Sequence, residues 1–320
     1  NYLYTAKIIK ETMLANFLDK SKPINFIVLL SLFFIVFSFY TYELYFDTKF
    51  NFGTISDITI LLTLFISIFF FFNFIVAKNN LTFDNSYAYF IFTLLLISVL
   101  PEVFSINFLT GYLIYLLFLR KVYSFYSSKK IIKKLFDSGF WLSILFLISP
   151  NSIVFILLIY LSIFLYQKIT IHTLLTPLIG FIAPIIIYFS YSYWYNNPQK
   201  IMSLFNLDFD ANTSIYFEGN FSILLMFIIL LTFASLTIKS PKVLGVNNTF
   251  RKSWILLFLH LIVIAITLIL INNNRAYIAY IFFPVSIIIA NGLELISNKI
   301  IKNSILLILL FGVFVFRFIL

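Results

Sequence analysis

Cysteine is absent from the 320 residues. That excludes disulfides, thiolate metal sites, thiol nucleophiles and S-palmitoylation. Histidine is nearly absent. His172 and His260 alone build no multi-histidine centre, so no metal is expected. There is no P-loop, no HExxH, no GxSxG and no dinucleotide-binding glycine fingerprint, so no cofactor is expected. Charge is scarce, at 11% of residues against roughly 25% in a soluble domain. No Asp, Glu, Lys or Arg falls in the middle of any long apolar run. Buried ionisable groups usually mark ion or proton pathways in membranes. Their scarcity argues against a proton-coupled transporter, a pump or a voltage sensor.

What is present is apolar. Hydrophobic residues make up 62% of the chain, with 43 Phe and 20 Tyr, and the mean hydropathy is +1.04. A globular core of this length cannot hide so much apolar surface, so lipid must solvate it. Lipid permits only helices or closed barrels, and the continuous runs lack the period-two alternation of a barrel strand. The expected fold is all-α and polytopic, with eleven spans: 24–42, 57–77, 87–100, 106–119, 139–149, 151–167, 172–194, 221–238, 254–271, 277–296 and 303–319. The shortest, 139–149, is either a span or half of a helix broken before 151–167.

Charge placement sets the expected orientation. With eleven alternating spans, 18 of the 22 basic residues fall on one side, in segments such as 120–138, which holds Arg120, Lys121, Lys129, Lys130, Lys133 and Lys134. The other side holds only Lys49, Lys200, Arg275 and Arg317. The positive-inside rule then makes the N-terminus cytoplasmic and the C-terminus periplasmic. The net charge of +10 is a lysine skin suited to anionic lipid at the cytoplasmic face, not to nucleic acid. Residues 1–12, NYLYTAKIIKET, precede Met13, where MLANFLDKSKPINF reads as a natural start. They are expected to be an upstream or non-native extension, with 13–320 as a single transmembrane domain.

A weak repeat is visible. YFIFTLLLISVLPEVFSINFLTGYLIYLLFLRK parallels GFWLSILFLISPNSIVFILLIYLSIFLYQK, each with two short apolar runs around a proline turn, Pro101-Glu102 or Pro150-Asn151. Proline lacks the N–H and crowds the preceding turn, so each unit is expected to be a tight helical hairpin. The non-basic side gathers the acids Glu43, Asp47, Asp57, Glu102, Asp208, Asp210 and Glu218 with Arg275. Carboxylates at a bilayer edge can act as general bases, and arginine grips phosphate bidentately. Glu102, Asp47 and Asp57 are therefore the candidate catalytic residues, and Arg275 the candidate anion-binding residue. Two readings of Arg275 stand: a boundary anchor beside the belt tyrosines Tyr277 and Tyr280, or an anion grip. His260, Asn73 and Asn291 read as interhelical hydrogen-bond partners.

The segments MLANFLDKSKPINFIVLL, LRKVYSFYSSKKIIKKLFDSGFWLSILFL and RAYIAYIFFPVSIIIANGLE together resemble a family of uncharacterised multi-pass inner-membrane proteins of Bacteroidetes-type bacteria. More faintly, the short helices around proline turns, the basic inner loop and the Arg before a proline-containing span resemble the C-type integral-membrane glycosyltransferases. That second resemblance implies a polyprenyl-linked sugar donor at the outer face. The acidic pair expected after the first span is missing from YTYELYFDTKFNFGTISD. Three functions are expected: a non-catalytic subunit or scaffold of a cell-envelope complex in the bacterial inner membrane, a handler of a polyprenyl-phosphate lipid, or an uncoupled transporter.

Overall fold

The computed structural model describes residues 13–45, 52–127, 129–195, 204, 214–217, 221–243, 248–270 and 274–318. Among these the protein is helical, with no strand. In chain order the helices are α1 Leu14–Leu18, α2 Pro23–Tyr45, α3 Phe52–Lys78, α4 Tyr87–Ser98, α5 Leu100–Val103, α6 Ile106–Val122, α7 Ile131–Ile148, α8 Ile156–Leu165, α9 Ile171–Trp194, α10 Ser214–Phe217, α11 Phe221–Val243, α12 Asn248–Leu270, α13 Ala279–Glu294 and α14 Lys299–Phe318. Tight 3₁₀ turns follow α6 at Tyr123–Tyr126, join α7 to α8 at Pro150–Phe155 and lead into α13 at Arg275–Ile278.

Each of the eleven expected segments coincides with one of these helices. Among the described residues, eight helices are long and apolar enough to cross a membrane. The remaining three are α4 and the Pro150–Leu165 stretch, which are shorter, and α7, which carries Lys133, Lys134 and Asp137 in its first turns.

The centre of the bundle is α4 packed against α13. All twelve residues of α4 are buried, and α13 is buried along nearly its whole length. Neither shows a polar stripe, because a helix walled in by protein on every side needs none. Aromatic rings fill the space around α4. Phe92 stacks on Phe72 of α3 at 3.9 Å and 4° and meets Phe69 edge-on at 5.8 Å.

The proline turns do break the chain, since Pro101 and Pro150 each open a new helical turn. The flanking helices, however, do not form tight hairpins. Helix α4 packs chiefly on α13, α14 and α2, and α6 on α3 and α7. Helix α7 packs chiefly on α9 and α6, and α8 on α12. Ser149 is extended at φ −138° and ψ 95°, so α7 and α8 are two helices. Ser149 meets Tyr277 just beyond the C-terminal end of α12, while Tyr166 meets Ser253 near its N-terminal end. The chain therefore reverses at Pro150.

The tightest helix pairing is α7 with α9, where small residues let the backbones close. A Cβ at Gly139 would strike the Pro177 carbonyl, and one at Gly180 the Phe136 carbonyl. Lipid tails are as apolar as leucine, so close approach of this kind is what joins membrane helices.

Polar contacts gather the basic segments at one end. Asn25 binds Ser86, Lys302 lies 4.0 Å from Asp19, Lys121 pairs with Asp137 at 2.7 Å, and Glu294 reaches the 83–85 segment. This is the basic end below. The opposite, far end carries the Pro101, Pro150 and Arg275 turns.

Candidate functional site

The far end brings two of the four candidate residues onto touching elements. Arg275 opens the 3₁₀ turn Arg275–Ile278, which Asn274 caps by accepting from the Ala276 N–H at 2.8 Å. The Arg275 Nε donates to the Ile215 carbonyl at 3.0 Å, and the guanidinium lies 5.5 Å from the centre of the Phe221 ring. Tyr216 donates to the Asn274 carbonyl at 3.5 Å. Burial, with Tyr277 nearby, raises the Tyr216 hydroxyl's pKa, so it stays a neutral donor. Ile215 and Phe221 thus fix the guanidinium by a hydrogen bond and a cation–π contact.

Helix α5 packs against this turn and carries Glu102, whose Oε2 is shut off from solvent with no hydrogen-bond partner. A buried carboxylate oxygen left unpaired costs free energy. Asp57 does not join the cluster: it is exposed near the start of α3 and makes no ion pair among the described residues. Asp47, with Asp208, Asp210 and Glu218, lies outside the described residues.

The core holds a second polar cluster. His260, fully buried on α12, has both ring nitrogens occupied. Tyr115 of α6 lies 2.6 Å from Nε2 and Tyr123 lies 2.9 Å from Nδ1. A neutral imidazole has one donor and one acceptor nitrogen, so one tyrosine donates and the other accepts. Tyr112, Tyr115, Phe155 and Tyr280 stack around this group, with Tyr115 and Tyr280 edge-on at 4.7 Å. Towards the far end, Ser149, Ser152, Thr267, Tyr277 and Tyr280 line a space of only about 10 Å³, the volume of a single water. The interhelical role expected of His260 is what the geometry shows, whereas Asn291 ties α13 to the segment after α3, donating to the Leu81 carbonyl at 2.8 Å, and also bonds back to Ile287. Asn73 differs: it is exposed on α3 and faces a pocket at the basic end.

Sequence reasoning missed a third cluster, at the basic end. Lys239 of α11 donates to Glu294 of α13 at 3.2 Å, with the two side chains only 3% and 6% exposed. The other carboxylate oxygen accepts from the Phe83 N–H at 2.9 Å and the Asn85 amide at 2.6 Å. The ammonium lies 4.8 Å and 5.3 Å from the Phe83 and Phe250 ring centres. A buried pair survives desolvation only when further hydrogen bonds complete it, and here they do. A signal was available: a carboxylate stranded among lysines needs a partner, and Asp19, Asp137 and Glu294 each have one.

Among the described residues, fold and packing define a helical protein with several helices long and apolar enough to cross a membrane and an aromatic-rich interior. The chain belongs to a family of unknown function, DUF6427, which matches residues 13–319. No curated protein and no solved structure matches it.

Proposed function

We propose that this protein is a non-catalytic scaffold subunit of a cell-envelope complex. It sits in the bacterial inner membrane with the basic end cytoplasmic, the C-terminus periplasmic and all eleven apolar helices crossing. The observation that carries this reading is His260. It is fully buried, and both its nitrogens are taken by tyrosines. A group so capped holds helices together and offers neither nitrogen to a ligand. The one-water space beside it also counts against a solute path for an uncoupled transporter. Purification from native membranes in mild detergent, with mass analysis, tests the reading. A stoichiometric partner protein is the expected result. A lone chain carrying a polyprenyl phosphate would overturn it.

A second reading is favoured by the far-end geometry: a handler of a polyprenyl-linked glycan, glycosyltransferase-like or flippase-like. Arg275, held in one orientation, would grip the lipid phosphate, and Glu102 on the touching turn would supply the carboxylate. Asp47 and Asp57 are the other acids this reading can draw on. Under it, Arg275→Ala and Glu102→Ala each abolish function while the protein stays in the membrane. Under the scaffold reading both variants keep function.

A further inference from the structure

A polar pocket of about 200 Å³ opens at the basic end between the start of α2, the end of α3 and the start of α4. Ser21, Lys22, Pro23, Phe26, Asn73, Ser86 and Tyr89 line it. Its frame is built. Asn25, fully buried, holds its amide nitrogen 2.8 Å from both the Phe17 and Lys20 carbonyls, which take its two hydrogens, and 3.0 Å from the Ser86 hydroxyl. Ser86 is thereby held at the pocket wall with a hydroxyl hydrogen that it can donate. Tyr89 stacks on Phe26 at 4.8 Å. Its side chain is 95% buried at 5% exposure, and its hydroxyl makes no hydrogen bond.

The lining has one chemical sense. Lys22, Ser21, Asn73, Ser86 and Tyr89 all offer hydrogens, and no carboxylate lines the pocket. The nearest acid, Asp19, is turned away to Tyr87 at 3.2 Å and Lys302 at 4.0 Å. Convergent donors with one lysine suit an oxyanion. The pocket also opens beside the apolar outer face of α2, where Ile24, Ile27 and Val28 are exposed. That surface suits an acyl chain attached to the anion.

We infer that this pocket holds the phosphate of an anionic phospholipid headgroup. Lys22 neutralises its charge, and the Tyr89 and Ser86 hydroxyls and the Asn73 amide donate to its oxygens. The site depends on neither functional reading above, since a scaffold and a glycan handler would both sit in the same leaflet.

The test titrates the delipidated full chain in detergent with phosphatidylglycerol, phosphatidylcholine or inorganic phosphate, reading bound lipid by native mass spectrometry and the melting midpoint in parallel. One phosphatidylglycerol per chain is expected, raising the midpoint more than either alternative. Lys22→Gln and Tyr89→Phe should each weaken binding about tenfold, as loss of a hydrogen bond to a charged group does. Lys129→Gln, in a different basic segment, should not change it. Without lipid, Tyr89→Phe should melt at or above wild type, because it removes an unpaired buried hydroxyl. Unchanged lipid binding in both pocket variants would overturn the site. Equal protection by inorganic phosphate would replace the lipid with a soluble anion, and equal protection by phosphatidylcholine would remove the requirement for net charge.

Discussion

Helices α13 and α9 are both long and strongly apolar, yet they occupy opposite surroundings. With its leading turn, the α13 window is 89% buried, against 22% for α9. One difference is that α13 also sends polar groups to other elements. Asn291 and Glu294 of α13 bond across to the 81–85 segment and to Lys239. Thr176 and Ser190 of α9 bond back to their own helix, at the His172 and Ile186 carbonyls. The exposed side of α3 follows α9, with Thr59, Thr63 and Ser67 each bonding four residues back. A hydroxyl facing hydrocarbon finds its partner in the preceding turn. A polar group facing protein can tie two elements together. A side-chain bond to another element therefore marks protein surroundings, whereas a bond back to the same helix decides nothing, since the buried Ser286 of α13 and Thr93 of α4 also bond back, to the Phe283 and Tyr89 carbonyls.

The largest effect should come from the pair that ties α13 to α11. Lys239→Met leaves Glu294 buried without its cation and should cost about 3–5 kcal/mol, read as a lowered melting midpoint in detergent. Adding Glu294→Gln should recover part of the loss. A single variant that melts like wild type would show that the pair is not closed to solvent. Next is His260→Leu, which strands the buried Tyr123 hydroxyl at about 1–3 kcal/mol and leaves Tyr115 only its 3.4 Å bond to the Tyr280 carbonyl. Tyr123→Phe in the same chain should restore some stability by removing one orphan. If it only adds to the damage, the three groups do not form one network. Smaller again is Gly139→Ala, the test of the single close face of α9. The added methyl meets the Pro177 carbonyl and should cost about 1–3 kcal/mol as overpacking. A neutral result would place α7 and α9 farther apart than described.

The sequence announces helices far better than their neighbours. All eleven apolar segments became helices, because hydrocarbon leaves a chain no other way to satisfy its backbone. Burial was illegible: α4, wholly enclosed, reads YAYFIFTLLLIS, which would suit lipid equally well. The proline turns were legible as breaks, since the missing N–H is a local fact. The expected hairpins failed because helix pairing depends on contacts made elsewhere, such as Gly139 against Pro177. His260 was legible as a helix tie, but Tyr115 and Tyr123 were not, lying 145 and 137 residues away along the chain. Arg275 stood out by its position at the mouth of an apolar run. Its carbonyl partner at Ile215 lies 60 residues off, and no local pattern points to it.

The smallest effect should come from the open face of α9. Ile182 and Ile186 are 50% and 58% exposed, and truncating both to alanine removes methyl groups that touch no other helix closely. Exposed substitutions away from caps and cavities usually fall within about 0.5 kcal/mol. Lipid replaces lost side-chain volume without leaving a void, so no cavity term is added. The same double truncation at Phe282 and Ile289 of α13, both buried, would open a cavity and cost several kcal/mol. Melting midpoints of the two double variants, measured in one detergent, set the comparison on a single scale. Equal losses would mean that the α9 face is covered by protein as completely as α13, and the contrast between the two helices would collapse.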